Sequence, residues 1–197
     1  MLSVDVTGYA PSCTTSVGGV STLLVGDAID FNFTAGTPNA DGSSSGYSAI
    51  ALRTGATLAD GSGFYEILSL QDSIGVEISQ ANSEFASSSY DYAITSKAAQ
   101  FCQGLTDFAM KMDTASICGQ LIFIWIDNVG KIFVAGERYV GGNVIPKFRF
   151  KMDGTKLSSG KKFADFNGGD LSFKATYLRG PMEFTGGVAA ITALQNG

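Results

Sequence analysis

The strongest structural signal in this sequence is a pair of apolar runs joined by a tight turn, between residues 120 and 135. The first predicted strand, residues 120–126, is apolar on both of its alternating faces from Leu121 to Ile126. The second, residues 131–135, follows the turn Asp-Asn-Val-Gly. Asparagine and glycine tolerate the positive φ angles that a short hairpin turn needs. We therefore predict a β-hairpin whose first strand is central in a sheet and is covered by a helix on one side.

The rest of the chain repeats this pattern of short apolar runs separated by turns. Glycine is abundant, with 25 residues against 4 prolines, as expected for many strands joined by turns. We predict a mainly β protein, a β-sandwich or barrel with one packed α-helix, formed by a single domain over residues 1–197. The further predicted strands are residues 20–25 and 28–34, which could form a hairpin, 47–53, 64–70, 74–79, 144–152 and 171–177.

One segment has the spacing of an amphipathic helix, over about residues 96–112. Its N-cap is predicted at Thr95 or Ser96, because a hydroxyl there can accept a hydrogen bond from the first turn. The apolar positions form one stripe, and we expect this stripe to face the core. The stripe comprises Ala98, Phe101, Cys102, Leu105, Phe108, Ala109 and Met112.

Four segments are predicted to lie outside the core. They are an N-terminal arm at about residues 1–12, an exposed mobile loop at 35–46, a polar loop at 80–89 and a small, uncharged C-terminal tail at 186–197. The tail either stays disordered or docks as a strand on another element or another subunit. We expect the two loops to make assembly contacts, with Asp41, Ser44, Glu84 and Ser88 as candidate residues.

The sequence offers little for catalysis. It contains no histidine, so the usual general base near neutral pH and histidine-ligated metals are excluded. The three cysteines Cys13, Cys102 and Cys118 are widely spaced, and the glycine-rich turns form no phosphate-binding motif. We therefore expect neither an enzyme nor a cofactor or metal site. The longest apolar run, residues 121–126, is too short to span a membrane, and without a readable signal peptide we expect folding in a cytoplasm.

Charge is distributed unevenly along the chain. Residues 1–93 hold ten acids and one base, for a net charge of −9, whereas residues 94–197 hold eight acids and twelve bases, for +4. Subunits that stack acidic surface against basic surface would show such an asymmetry, and so would a basic half that binds nucleic acid. A third possibility is that the two halves interleave and their charges pair within one subunit.

The basic residues concentrate around a predicted strand at residues 147–152. Alternation places its three cations on one face and its apolar side chains on the other. A charged, solvated strand face is the ordinary explanation, but three like charges in a row repel one another and suit an external anionic partner. The candidate interface or anion-facing residues are Lys147, Arg149, Lys151, Lys161 and Lys162.

The stretch from Cys118 to Gly136 (CGQLIFIWIDNVGKIFVAG), followed by Asp165 to Gly168 (DFNG), resembles virion structural proteins of tailed bacteriophages with Bacteroidetes-type hosts. The layout of arm, strand-rich body, polar loop, helix and final hairpins is similar to tail tube proteins. This resemblance implies a virion protein, made in the bacterial host cytoplasm, that forms stacked homo-hexameric rings through which DNA passes. Alternatives are another virion component, such as a capsid decoration or tail completion protein, and an anionic-ligand or nucleic-acid binding module.

Overall fold

A computed structural model describes residues 19–38, 46–70, 72–83, 86–99, 102–145, 149–159, 167–177 and 179–196, without the side chains of 81–83, 86–88 and 99. The described chain is mainly β, with two sheets and one long helix. Its strands are β1 Val20–Asp27, β2 Phe31–Ala35, β3 Tyr47–Leu52, β4 Tyr65–Glu66, β5 Gly75–Ser83, β6 Ala86–Ala99, β7 Leu121–Asp127, β8 Ile132–Ala135, β9 Tyr139–Val140, β10 Asn143–Val144, β11 Lys151–Met152, β12 Lys156–Ser158, β13 Gly168–Tyr177 and β14 Met182–Phe184. Its α-helices are α1 Gln103–Cys118 and α2 Val188–Thr192.

The larger sheet has nine strands in the order β10-β9-β2-β3-β14-β8-β7-β1-β4. It curls strongly, because one of its faces brings side chains from β1, β2, β3, β7, β8 and β14 into a single core. The ring of Phe31 in β2 stacks on that of Phe64, just before β4, with ring centroids 3.9 Å apart. Among the described strands, β10 and β4 nevertheless end the sheet without pairing to each other, so the predicted barrel is not closed.

The smaller sheet has the order β11-β13-β6-β5, and β12 also pairs with β13. It packs on the outer face of the curled sheet, where Phe123 and Trp125 of β7 meet Ile94 of β6 and Phe173 of β13. Successive residues of β7 therefore enter two different cores, with Leu121, Phe123 and Trp125 in the shared one and Ile122, Ile124 and Ile126 in the other. This explains why the strand is apolar on both faces.

The β7–β8 hairpin agrees with the prediction. In its turn the side-chain Oδ1 of Asp127 accepts hydrogen bonds from Val129 N at 2.9 Å and Lys131 N at 2.7 Å, and Gly130 has φ of 88°. The central position of β7 is also confirmed, because it pairs with β1 and β8. The predicted cover of β7 by a helix is incomplete, because α1 and the smaller sheet together cover the face that carries Leu121, Phe123 and Trp125.

The helix prediction was wrong at its start. Residues 96–99 continue β6, and α1 runs from Gln103 to Cys118 with Cys102 at the N-cap. Ser96 is buried in the sheet, and its hydroxyl lies 2.5 Å from that of Ser69. Pairing with β13 extends to Ala99, so ladder hydrogen bonds replace the helical ones there. Cys102, predicted on the buried stripe, is exposed.

Two other local predictions also need correction. The strands at 20–25 and 28–34 exist as β1 and β2, but they form no hairpin, because β1 pairs with β7 and β4 while β2 pairs with β3 and β9. Most of the predicted loop at 80–89 belongs to the β5–β6 hairpin, which pairs as far as Ser83 with Ala86.

The C-terminal tail follows one of its two predicted alternatives, since its described residues 186–196 dock on another element of the same chain. They do so through α2 and a parallel bridge between Phe64 and Gln195.

Candidate functional site

The β5–β6 hairpin extends beyond the sheet to which it belongs. The two strands pair with each other from Gly75–Thr95 to Ser83–Ala86, whereas β13 accompanies β6 only between Tyr90 and Ala99. Residues 81–83 and 86–89 therefore form a projecting two-stranded ribbon, which we call the hairpin arm. A two-stranded ribbon is marginally stable by itself in water, so a third strand or a packing partner would stabilise it.

The outer edge of β5 is open within the described part of the chain, since β5 is the last strand of its sheet. Residues 77–80 on this edge are exposed, and residues 78–83 carry no charge and no proline. Charged side chains and prolines are the usual devices that prevent an edge strand from pairing with another chain. Beyond Glu77 the edge lacks them, and residues 78–83 therefore offer a row of backbone groups for strand addition.

The predicted cationic strand at residues 147–152 is much shorter in the structure, because β11 contains only Lys151 and Met152, and Arg149 and Phe150 precede it. The predicted alternation of exposed and buried side chains is nevertheless present among the described residues. Arg149 and Lys151 are exposed, whereas Phe150 between them is completely buried. The two cations line an open groove of about 560 Å³ on the outer face of the smaller sheet, together with Asp91, Asp153 and Lys174.

Acidic residues offset the charge of this groove. The Lys174 ammonium lies 2.6 Å from the Asp153 carboxylate, and the hydrogen bond from this pair raises the pKa of Lys174. On the other side, Thr176 Oγ1 donates to Asp91 Oδ1 at 2.5 Å. The groove thus combines three cations with two carboxylates, and it is not a purely basic surface.

The acidic and basic halves of the chain are interleaved in both sheets. In the smaller sheet, β5 from the acidic half and β6, which spans both halves, are followed by β13 from the basic half. In the larger sheet, β3 lies beside β14 and β1 lies beside β7. Among the described strands, the asymmetry in the sequence is therefore not a separation of charge in space. This favours pairing of charges within one subunit over stacking of acidic on basic surfaces.

Several predicted contact residues cannot be placed. The N-terminal arm and most of the loop at 35–46 lie outside the described residues, and Ser88 lies in β6 without a described side chain. The candidate residues outside the described part are Asp41, Ser44, Glu84, Lys147, Lys161 and Lys162.

A buried polar network joins the two sheets, and sequence reasoning missed it. The Glu137 carboxylate, 2% exposed, accepts a hydrogen bond from Tyr47 OH at 2.6 Å and forms an ion pair with Arg179. Arg179 also donates to Tyr47 OH at 2.9 Å, and its carbonyl oxygen accepts from Tyr92 OH at 2.7 Å. Burial raises the pKa of Tyr47 to about 12 and also raises that of Tyr92. The residues are far apart in sequence, so no local motif marks them.

Apolar side chains are exposed around α1. Met110 and Ile117 on the helix are 66% and 75% exposed, and Leu68 in the segment after β4 is 76% exposed. A groove of about 270 Å³ separates that segment from Leu105 and Phe108 of the helix. These positions add apolar contact area to the surface without suggesting any chemistry.

Metal-binding clusters and membrane-spanning helices are both absent among the described residues. In that part of the chain no group of three or more cysteine, aspartate or glutamate side chains is arranged to hold a metal ion. Neither described helix has the length and hydropathy needed to cross a bilayer. The fold and these surfaces define a two-sheet, mainly β protein with open strand edges.

Comparison with known proteins adds nothing to this description, because no family model, curated protein or solved structure matches the chain.

Proposed function

We propose that this chain is a structural subunit of a phage particle that assembles with copies of itself. The most specific form of the proposal is a tail tube protein whose stacked hexameric rings let DNA pass. The observation that carries the proposal is the open edge of β5, continued by the hairpin arm. The phage assignment itself comes from the resemblance over residues 118–136 and 165–168.

Strand addition is the physical basis of the assembly. An added strand forms main-chain hydrogen bonds with the free edge, and these bonds do not depend on particular side chains. The outer residues of β5, Glu77, Ser79 and Gln80, are exposed and leave room for a neighbour. Since the arm lacks a third strand in the described chain, a second copy would provide what the arm needs for stability.

Electron microscopy of the purified full-length chain tests this proposal directly. We expect rings or tubes at high protein concentration, and the symmetry of the rings would separate a tail tube from a capsid decoration or tail completion protein. A protein that stays monomeric at high concentration, with no particles in the images, would refute self-assembly.

A pair of charge-matched variants tests the role of the β5 edge. Ser79→Lys/Gln80→Lys places two charges on the edge, where they oppose strand addition. Thr54→Lys/Ala59→Lys adds the same charge at exposed positions outside the smaller sheet. We expect the first variant to lose assembly and the second to retain it, as measured by sedimentation and imaging. Equal assembly by both would remove β5 from the interface.

Binding of nucleic acid or another polyanion is the second candidate function. Arg149 and Lys151 in the groove of the smaller sheet favour it, although Asp91 and Asp153 reduce the net charge of that groove. DNA binding that weakens steeply with salt and is lost in Arg149→Ala/Lys151→Ala would support this function. Binding that is undetectable at low salt would exclude it.

A further inference from the structure

The C-terminal segment Val188–Asn196, which we call the strap, closes the curled sheet at the side of β4. Ile191 of α2 is 1% exposed and joins the core that contains Phe64 and Phe31. Beyond α2, Leu194 O accepts a hydrogen bond from Phe64 N at 2.8 Å, and Asn196 N donates to Phe64 O at 2.9 Å. The strap therefore forms an isolated parallel β-bridge with Phe64 through Gln195.

The strap binds to residues Ser62–Tyr65, which we call the seat. Contacts between the seat and the strap are specific. Asn196 Nδ2 donates to Ser62 O at 2.8 Å and to Tyr65 OH at 3.2 Å. Gly63 has φ of 140°, and a Cβ there would lie only 2.9 Å from Leu194 O. A side chain at that position would push the strap away, so the glycine permits the close approach of the two backbones.

The attachment of the strap is nevertheless small. Ile191 is the one strap side chain that is fully buried, Val188 is 45% exposed, and the strap carries no charge. A helix of five residues such as α2 is not stable without packing. The two residues before the strap are Gly186 and Gly187, and Gly187 has φ of 83°. The strap is thus a weakly held element that follows a pair of conformationally permissive residues.

We propose that the strap exchanges between copies on assembly, so that residues 188–196 of one subunit occupy the seat of its neighbour. The strap fits the seat through the backbone and side-chain contacts described above. A second copy of this chain carries the identical strap, and it is therefore the occupant that we propose for a neighbour's seat. Exchange replaces each contact with an identical one, so its cost is confined to the Gly186–Gly187 hinge and to chain entropy. In an assembled ring, the neighbour's seat is at high effective concentration. This inference rests on the proposed self-assembly and specifies its partner segment.

A disulfide between strap and seat shows whether a strap occupies the seat of its own chain or the seat of a neighbouring chain. Tyr65 and Asn196 are adjacent across the Phe64–Gln195 bridge, so Tyr65→Cys/Asn196→Cys places two thiols side by side. The double-cysteine variant also carries serine in place of the three native cysteines, Cys13, Cys102 and Cys118. Thr34→Cys/Ala49→Cys, at paired positions of β2 and β3, is the control that cannot exchange.

We expect oxidation of the dilute monomer to give an intrachain disulfide, and oxidation of assembled particles to give a ladder of covalent multimers on a non-reducing gel. The control should give intrachain disulfides in both states. A monomer oxidised before assembly should fail to assemble until reductant is added, whereas the oxidised control should assemble normally. Intrachain disulfides alone in assembled particles, or normal assembly of the locked monomer, would overturn strap exchange.

The outcomes also separate this inference from the proposed function. Particles with only intrachain disulfides would retain self-assembly and refute exchange. Interchain disulfides in concentrated protein without rings or tubes would retain exchange and refute the tail tube. If the double cysteine chain does not fold, a photo-crosslinking side chain in place of Gln195, used in mixed ¹⁴N and ¹⁵N protein, reports the same connection. Crosslinks between differently labelled chains support exchange, and crosslinks within one label alone refute it.

Discussion

At the residue scale, Glu137 has the most demanding environment in the described structure. Its carboxylate is 2% exposed and contacts both Tyr47 and Arg179, which come from different parts of the chain. Burial of a charge is costly unless the charge is paired and hydrogen-bonded, and both conditions are met here. The Arg179 carbonyl oxygen extends the contact to Tyr92 in the smaller sheet, so the network fastens one sheet to the other.

We expect Glu137→Gln to destabilise the protein by about 1–3 kcal/mol, because the guanidinium of Arg179 loses its charged partner while it remains partly buried. Urea unfolding at neutral pH measures this change. Glu183→Gln is the matched control, since Glu183 is exposed on β14, and it should change stability by less than about 0.5 kcal/mol. Equal losses in the two variants would show that the network contributes nothing specific.

The raised pKa of Tyr47 predicts a loss of stability at alkaline pH. Its pKa is about 12 in the folded protein and 10.0 ordinarily, chiefly because burial disfavours the phenolate, with Arg179 opposing the shift. The unfolded chain therefore loses this proton first, so the contribution is fully present below pH 10 and disappears as the pH rises towards 12. Over that range stability should fall by about 1.4 kcal/mol per pH unit from this residue alone.

Tyr47→Phe isolates this contribution, because phenylalanine keeps the ring but cannot ionise. We expect the variant to be less stable at neutral pH, where it lacks the hydrogen bond to Glu137, and to lose less stability than the wild type between pH 10 and 11.5. Urea unfolding at several pH values in this range measures the difference. Parallel pH profiles for the two proteins would contradict the assignment to Tyr47.

At the element scale, α1 and β7 differ greatly in burial. All six residues from Leu121 to Ile126 of β7 are buried, whereas α1 buries only Ala109 and Ser116 among its sixteen residues. Elements with few buried contacts open locally at a lower free-energy cost than core strands. We therefore expect α1 amides to exchange with deuterium faster than β7 amides, as measured by mass spectrometry. Equal protection of the two elements would show that α1 is held by more than its apolar contacts.

The elements that sequence reasoning predicted correctly are those specified by local chemistry. The β7–β8 hairpin is fixed by two apolar runs and by a turn in which Asp127 accepts backbone hydrogen bonds. The alternation of exposure at Arg149, Phe150 and Lys151 was also predicted, and the burial of Phe150 agrees with it, although the strand itself begins only at Lys151. In these cases a segment of about ten residues contains the necessary information.

The incorrectly predicted elements depend on distant partners. The polar residues 80–89 look like a loop, but β5 and β6 pair along their length because the backbone, not an apolar face, provides the bonds. Residues 96–99 have helical spacing, and pairing with β13, some seventy residues later, makes them a strand. The Glu137 network likewise joins distant residues, since Tyr47 and Glu137 are 90 positions apart and Tyr92 and Arg179 are 87 apart. Such contacts leave no local pattern to detect.

At the scale of the whole molecule, one core holds the two sheets together. Phe150 lies between them and is completely buried. Its ring makes edge contacts with Phe123 of β7, at a centroid distance of 4.7 Å, and with Tyr92 of β6, at 5.9 Å. Because the sheets share this core, and the Glu137 network adds a second connection, we expect the two sheets to unfold in a single cooperative transition.

Phe150→Ala tests this cooperativity, because it removes a ring that touches both sheets. We expect a loss of about 3–5 kcal/mol, the usual cost of a phenylalanine deletion in a packed core. Leu68→Ala is the control, since Leu68 is 76% exposed and its truncation should cost less than about 0.5 kcal/mol. Fluorescence of Trp125, the single tryptophan, reports the core that the two sheets share, and far-UV circular dichroism reports all strands.

The two signals should keep a common urea midpoint in the variant as in the wild type, with both midpoints shifted by the same amount. If Phe150→Ala instead separated them, the larger sheet, with its own core around Phe31 and Phe64, would be able to stay folded after the smaller sheet is lost. The smaller sheet would then be an attachment that opens independently. Since the β5 edge belongs to that sheet, assembly through it would depend on a local folding equilibrium and not on the stability of the whole subunit.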